Sequence, residues 1–351
     1  MRYVLIDTSN MFFRARHQAH RQSDTWTKLG FALHLTIMSA NKVARKFNAD
    51  HIVFALEGRS WRKDAYKPYK ANRAVARAAL SETEAEEDKM FWETYDELTK
   101  YLSTRTNCSV IRCATAEADD VIARWIALHP QDEHTIVSTD SDFVQLVAPN
   151  VGLYNGVNDH LFTPEGVTDD KGRKLSFTIE SNSKIKVGKV TADFEAPVDY
   201  QTWCLFLKCM RGDPGDNVFS AYPGVRLKGT KKAVGLTEAF EDRTKKGYAW
   251  NNLMLQRWTD HNAEEHKVLD DYERNRTLID LTAQPQEIKD VVDAAILEQI
   301  SHKDIGQVGL HFLKFCGKFD LIKLSEQADT VSRWMNETYK GVLNDRSQAS
   351  S

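Results

Sequence analysis

Three short apolar runs in this chain each end at or next to a carboxylate. The runs occupy residues 2–6, 51–56 and 134–138, and the acids that follow them are Asp7, Glu57 and Asp140. Apolar, β-branched runs of this length predict buried strands. Because ligands bind beyond the carboxyl ends of the strands in open parallel sheets, we expect the three acids to face one crevice.

Helical periodicity separates the predicted strands. The helical segments lie at roughly 28–47, 84–104 and 117–128, with a further short strand at 109–111. Alternating strands and helices predict an α/β domain with a parallel sheet over residues 1–150. The short alternating stretches of residues 151–198 predict a hairpin-like insertion or linker. The helical pattern of residues 199–340 predicts a second, α-helical domain.

The composition is that of a folded protein with reduced thiols. Hydrophobic residues make up 42% of the 351 residues, and eight Trp and sixteen Phe argue against disorder. The five cysteines show no CxxC pairing, which disfavours disulfides and a zinc site. We see neither a secretion signal nor an apolar run of spanning length, so we expect a cytoplasmic protein without membrane contact.

Closely spaced acids occur at three places in the sequence. They are Glu117, Asp119 and Asp120; Asp140 and Asp142; and Asp213 and Asp216. Taken alone, the first group is more simply explained as the acidic first turn of a helix, and the second fits a strand-to-helix turn equally well. The third group lies at a Pro-Gly turn before a predicted helix, where backbone N–H groups favour phosphate binding. Acids that converge in a fold repel one another unless a cation holds them, and Mg²⁺ and Mn²⁺ prefer such oxygen ligands.

The basic residues are segregated from the acids. Between Arg59 and Arg77 there are seven Lys or Arg and one acid, Asp64. A second basic patch comprises Arg226, Lys228, Lys231 and Lys232. A solvated helix face explains most such runs, but the aromatic residues Trp61 and Tyr69 within the first run favour nucleic-acid contact. The net charge of −3 therefore does not exclude phosphate-binding surfaces.

With these motifs in view, the chain resembles the flap-endonuclease-type 5′-nucleases, and among them the bacteriophage 5′→3′ exonucleases and the T-even-phage ribonuclease H. The similarity runs from Asp7 to about Val234 and comprises six motifs in the order of the family. It implies a PIN-like nuclease domain with a parallel sheet and a helical arch at about 58–100. It further implies that the α-helical domain contains a helix–three-turn–helix at about 212–236, which binds the backbone of duplex nucleic acid.

The resemblance also implies roles for individual residues. Two Mg²⁺ ions, for which Mn²⁺ would substitute, would be bound by Asp7, Glu57, Glu117, Asp119, Asp120, Asp140, Asp142, Asp213 and Asp216. The family usually has Asp where Glu57 stands, so Glu57 would bind more loosely or through water. Lys70 and Arg73 would be catalytic, contacting the scissile phosphate. The nucleic acid would be bound by Arg14, Arg62, Tyr69, Lys228, Lys231 and Lys232.

The activity that this resemblance implies is metal-dependent hydrolysis of phosphodiesters near 5′ ends. The expected substrates are DNA with 5′ flaps, nicks or ends and RNA–DNA hybrids, in RNA primer removal and lagging-strand maturation. We expect a monomer, with a replication clamp or a single-strand-binding protein as a further partner, in the host cytoplasm if the source is viral. Two alternatives remain: a catalytically impaired structure-specific DNA-binding protein, favoured only by Glu57, and a small ribonuclease without a duplex-binding module, which residues 212–236 argue against.

Overall fold

The structure is a computed structural model that describes residues 1–19, 24–300 and 304–342, with the backbone alone at residue 74 and residues 76–78. Its centre is a nine-stranded sheet in the order β3-β2-β1-β4-β5-β6-β7-β8-β9. The strands are β1 (Arg2–Asp7), β2 (His51–Leu56), β3 (Ser109–Arg112), β4 (Glu133–Val137), β5 (Val151–Asn155), β6 (His160–Thr163), β7 (Gly166–Thr168), β8 (Lys174–Ile179) and β9 (Ile185–Val190). Helices cover both faces of the sheet, and the predicted α/β fold class is confirmed.

The first five strands of this order in space are parallel, and the remainder are antiparallel. In β1, Leu5 pairs with Val53 of β2 and with Ile136 of β4, so all three strands run in one direction and end at one edge. Residues 151–198, predicted as an insertion or linker, form β5 to β9. The sheet therefore does not end at residue 150.

The helices pack in layers on the sheet. They are α1 (Thr8–Ala19), α2 (Thr25–Lys46), α3 (Arg62–Ala65), α4 (Ala71–Ala78), α5 (Glu82–Arg105), α6 (Ala118–Leu128), α7 (Tyr200–Arg211), α8 (Leu236–Glu241), α9 (Tyr248–Met254), α10 (Val268–Ile279), α11 (Gln286–Gln299), α12 (Val308–Lys318), α13 (Ile322–Ser325) and α14 (Ala328–Val331). Two 3₁₀ helices span Ser141–Leu146 and Arg333–Asn336, and a small hairpin pairs β10 (Arg257–Thr259) with β11 (Glu265–Lys267).

Alternation along β1 assigns its side chains to two cores, because successive strand residues point to opposite faces. Val4 and Ile6 pack with α1, α2, α5 and α12, whereas Tyr3 and Leu5 pack with α6 and α11. Local signals fix the long helices: Asp24 caps α2 through a 2.9 Å bond from the backbone N–H of Thr27, and Ser81 begins α5 with a capping box.

The C-terminal helices do not form one separate domain. Phe206, Leu207 and Trp250 lie in a helical core of their own. Val308 and Phe312 of α12 instead pack into the core beneath the sheet. The predicted helical domain of residues 199–340 is thus divided between two packing environments. Among the described residues, no helix is long and apolar enough to cross a membrane.

Both ends of the segment predicted as an arch, residues 58–100, pack into the fold. Trp61 and Tyr69 are buried near its start, and Phe91 and Leu98 on one face of α5 pack into the core near its end. Between these anchors, the described side chains from residue 71 to residue 86 are exposed. A continuous exposed arch in this protein is therefore shorter than predicted.

Candidate metal centre and nucleic-acid surface

Asp7 lies at the carboxyl end of β1, where the sheet opens into a cleft. Its carboxylate accepts hydrogen bonds from Ser138 Oγ at 2.9 Å and from the backbone N–H of Asn10 at 3.1 Å. The Ser9 hydroxyl lies 3.4 Å from Asp7 Oδ1 and 3.3 Å from Glu57 Oε1, so it links the acids of neighbouring strands. Burial raises the pKa of Asp7 above its ordinary value although these donors oppose the rise.

Glu57 follows β2 and reaches the N-terminus of α6. Its Oε2 accepts a hydrogen bond of 3.3 Å from the backbone N–H of Ala118. The side chain is exposed to solvent, yet desolvation of its carboxylate in the cleft, followed by the charges of Asp7 and Glu117, raises its pKa to about 7. The longer side chain thus brings a carboxylate to the same cleft as Asp7.

Asp119, in the first turn of α6, faces the other acids of the cleft. Burial and then the charges of Asp7, Asp140, Glu57 and Glu117 raise its pKa well above the ordinary value. Asp140 follows β4 and caps the 3₁₀ helix by accepting a bond of 2.9 Å from the backbone N–H of Asp142. The structure therefore brings together acids from three strand ends and one helix N-terminus.

A second pair of acids, Asp142 and Asp213, lies beside this group and is paired with the ammonium group of a lysine. Lys208 of α7 donates to Asp142 and, at 2.8 Å, to Asp213 Oδ2. Burial raises the pKa of Asp142 to about 6 despite Lys208, whereas the pKa of Asp213 is lowered because Lys208 outweighs burial there. The role of Lys208 is not evident from the sequence, where its only local signal is its place on α7 five residues before Asp213. Asp119, Asp142 and Asp213 line one narrow pocket with Asp216.

Lys70 and Arg73 are held at the edge of the cleft by acids. Lys70 adopts a left-handed backbone conformation with φ 53°, and its ammonium contacts Glu117 and lies 3.5 Å from Asp216 Oδ2. Arg73 is exposed and donates to Asp216 Oδ1 at 2.7 Å. Burial acts to raise the pKa of Glu117, but Lys70 and Arg62 outweigh it and lower the pKa to about 2.

Arg62 is buried, which contradicts its predicted contact with nucleic acid. The residue is 1% exposed, and its guanidinium donates to both Asp120 oxygens at 2.8 Å, to Glu117 at 2.9 Å and to the Leu278 carbonyl at 2.7 Å. Asp120 is fully buried and also accepts bonds from Trp61 Nε1 and Gln284 Nε2. With both of its oxygens engaged by these donors, Asp120 is placed as the partner of Arg62, away from a role as a metal ligand.

The predicted contact of Tyr69 with nucleic acid is also contradicted. The residue is 5% exposed, so its ring cannot stack on a base. Its hydroxyl lies 3.0 Å from both Glu117 Oε2 and Asp216 Oδ2. Together with Arg62 it fixes the two acids that hold Lys70. The sequence signal for burial was weak, since both residues stand in a basic run that is typical of a solvated surface.

The remaining predicted nucleic-acid contacts differ in exposure. Lys228, Lys231 and Lys232 are exposed on the turn-rich segment before α8, which begins at Leu236. Glu238 shapes these turns by accepting 3.0 Å bonds from the backbone N–H groups of Gly229 and Gly235. Arg14 of α1 is half-buried near Asp7, and burial lowers its pKa.

The donor chemistry of the cleft fits a hard divalent cation. Every candidate ligand is a carboxylate oxygen. Burial holds the pKa values of Asp7, Glu57 and Asp119 high, and the charges of neighbouring acids add to the rise for Glu57 and Asp119. Elsewhere in the described chain, Asp260, Glu264 and His266 have ligand atoms within 4.8 Å of one another. No three of the described cleft acids have ligand atoms within that distance. Wider spacing is expected of carboxylates that repel one another.

Residues 2–172 match the family of 5′-3′ exonucleases over its N-terminal, resolvase-like domain. Over this domain the chain resembles the flap-endonuclease-type 5′-nucleases. The chain is 28% identical over 243 residues to flap endonuclease Xni of Shewanella loihica, covering 68% of this chain and 77% of that relative. It is also 28% identical over 193 residues to DNA polymerase I of Rhizobium leguminosarum, covering 54% of this chain and 15% of the polymerase. The resemblance predicted from the sequence is confirmed.

Solved structures of this 5′-nuclease family share the fold. The T5 5′-exonuclease with divalent zinc ions bound aligns with a TM-score of 0.55 at 18% identity, covering 85% of this chain and 99% of that chain. The bacteriophage T5 flap endonuclease in a pseudo-enzyme-product complex with DNA and metal ions aligns with a TM-score of 0.56 at 19% identity, covering 85% of this chain and 98% of that chain. At these identities the similarity establishes the common fold.

Proposed function

We propose that the protein is a metal-dependent, structure-specific 5′-nuclease that hydrolyses phosphodiesters near the 5′ ends of DNA or RNA strands on duplex. One observation carries the proposal: acids from three strand ends and one helix N-terminus converge in a cleft beside Lys70. Repulsion within this group is relieved when a divalent cation binds. The similarity to 5′-3′ exonucleases and the activities of the named relatives support the same reaction.

In this proposal the two acidic groups divide the ligands between two cations. Asp7, Glu57, Asp119 and Asp140 hold one, and Asp142 and Asp213 hold the other once Lys208 has been displaced from them. Glu117 and Asp216 complete the site from the side of Lys70. Mg²⁺ is the expected ion, and Mn²⁺ would substitute because it takes the same oxygen ligands. Such ions supply activation of water and neutralisation of charge on the phosphate.

The basic residues act on the substrate itself. When the substrate binds, Lys70 and Arg73 leave Glu117 and Asp216 and contact the scissile phosphate. Their charge there stabilises the transition state. Because Glu117 and Asp216 hold them near the cleft beforehand, little side-chain ordering is needed on binding. Lys228, with Lys231 and Lys232, binds the backbone of the adjoining duplex without reading its sequence.

The biological role follows from the substrate class. A 5′-nuclease that acts on flaps, nicks and RNA–DNA hybrids would remove RNA primers and mature lagging-strand fragments. We propose that it works as a monomer in the cytoplasm, with a replication clamp or a single-strand-binding protein as a further partner.

Substrates labelled at the 5′ end or internally test the proposal. A 5′-flap, a nicked duplex and an RNA–DNA hybrid are incubated with Mg²⁺ or Mn²⁺, with and without a chelator, and the product lengths are measured. The proposal expects short 5′ products or released flaps that appear only with the metal. Binding of the flap substrate without cleavage under every metal condition would favour the catalytically impaired DNA-binding protein instead.

A further inference from the structure

The hairpin formed by β8 and β9 carries a concentrated positive charge outside the cleft. Residues 171–190 contain six Lys or Arg and one acid, Glu180, for a net charge of +5. Arg173 is paired with Asp169 at 2.6 Å. The lysines, which are Lys171, Lys174, Lys184, Lys186 and Lys189, are exposed and have no ion-pair partner among the described residues. An unpaired cluster of this kind is available to bind an anionic partner.

The hairpin packs on the rest of the protein through the opposite face. Leu175 and Phe177 are about 5% exposed, and the Phe177 ring lies 5.1 Å from that of Tyr200 at the start of α7. Ile179 packs against the helical core that contains Phe206. Thr178 pairs with Lys186 in the register of the two strands and, like Lys186, is exposed. The lysines therefore project from a surface that is fixed from behind.

The hairpin also lies next to the cleft. At its tip, the carbonyl of Ser181 accepts a bond of 3.2 Å from Arg211 Nε. Arg211 is the last residue of α7, and Asp213 of the acidic pocket follows two residues later. The basic face thus begins beside the turn-rich segment to which we assign duplex binding.

We propose that the exposed face of the β8–β9 hairpin binds the phosphate backbone of the duplex arm next to the cleavage point. The occupant is duplex nucleic acid, because the charge is of the opposite sign and is held beside the loop proposed to bind the same substrate. The inference rests on the proposed function and enlarges the protein surface that contacts the substrate. Because β9 is an edge strand, its lysines also hinder pairing with another chain, and this simpler role must be separated in the test.

Charge reversal separates the two roles. A Lys184→Glu/Lys186→Glu/Lys189→Glu variant keeps charges on the edge strand but makes it repel phosphate. The matched control is Lys100→Glu/Lys314→Glu/Lys323→Glu, which changes the net charge equally at exposed lysines elsewhere. A third variant with Gln at the three hairpin positions removes the charge without reversing it. Circular dichroism and gel filtration test whether each variant is folded and whether it self-associates.

Affinity for a 5′-flap substrate with a long duplex arm is measured in Ca²⁺ at several salt concentrations. Three lost phosphate contacts predict binding weakened by about 10- to 100-fold and a salt slope shallower by about 3 in the Gln variant, with an unchanged control. Shortening the duplex arm should remove the difference, and cleavage at saturating substrate should be unaffected. Equal affinities of hairpin and control variants on the long arm would overturn the inference, as would self-association of the Gln variant with unchanged affinity of the Glu variant. Failure of the wild-type protein to cleave contradicts the proposed function alone, because the binding comparison does not depend on cleavage.

Discussion

Arg62→Met tests whether the basic run after β2 is partly structural. Arg62 joins α3 to α6 and α10, and its side chain is 2% exposed. Its removal leaves the buried carboxylate of Asp120 with hydrogen bonds from Trp61 and Gln284 but without its cation. Breaking a buried pair by removing one partner costs about 3–5 kcal/mol, so we expect the free energy of unfolding to fall by that amount at pH 7.

The measurement is equilibrium unfolding in urea, read by tryptophan fluorescence. Arg62→Lys should be intermediate, because an ammonium cannot donate the two parallel bonds that Asp120 accepts. Combining Arg62→Met with Asp120→Asn should cost less than the sum of the single changes, since no unpaired charge remains.

Duplex affinity is the control for this prediction. Under conditions where the variant is still folded, its affinity for a flap substrate should match that of the wild type. A loss of stability below about 1 kcal/mol together with a clear loss of affinity would refute the structural role and restore the nucleic-acid contact.

Three further outcomes are expected. Lys70→Ala should lower the single-turnover cleavage rate at saturating substrate by about 10²–10³-fold with little change in affinity, and an effect on affinity alone would show that Lys70 only positions the strand. Lys208→Met should let Mn²⁺ bind more tightly in calorimetry, because Asp142 and Asp213 lose the cation that competes with the metal; an unchanged affinity would argue that these acids are not ligands. Without metal, the melting temperature should fall as the pH rises from 5 to 8, because the pKa values of about 7 for Glu57 and about 6 for Asp142 exceed the unfolded values of about 4. Mg²⁺ should restore more of the loss at pH 8 than at pH 5, and a melting temperature insensitive to both would contradict the raised pKa values.

The positions of the strand-end acids could be predicted from the sequence because the signals are local. A strand pattern that ends at Asp7 or near Asp140 fixes the edge of the sheet at which the acid lies, and parallel topology brings those edges together. The length and type of β1 and β2 were likewise evident from their apolar residues.

The roles of Arg62, Tyr69 and Lys208 could not be predicted, because each depends on distant partners. Arg62 meets Asp120 58 residues along the chain and the carbonyl of Leu278 216 residues along it. Lys208 meets Asp142 66 residues away. A basic residue in an amphipathic segment has the same local pattern whether its partner is water or a buried acid. For the same reason, the periodicity of α12 does not indicate that this helix packs into the core beneath the sheet.

The central claim is that the carboxylate cleft performs metal-dependent cleavage while other surfaces bind the duplex. Single-turnover cleavage of a 5′-flap substrate in Mg²⁺ by Asp119→Asn and Asp140→Asn tests it most directly, with substrate affinity measured in parallel. We predict a cleavage rate lowered by at least about 10³-fold in each variant, with affinity within about threefold of the wild type. Wild-type cleavage rates in either variant, or cleavage that persists in chelator, would contradict the account.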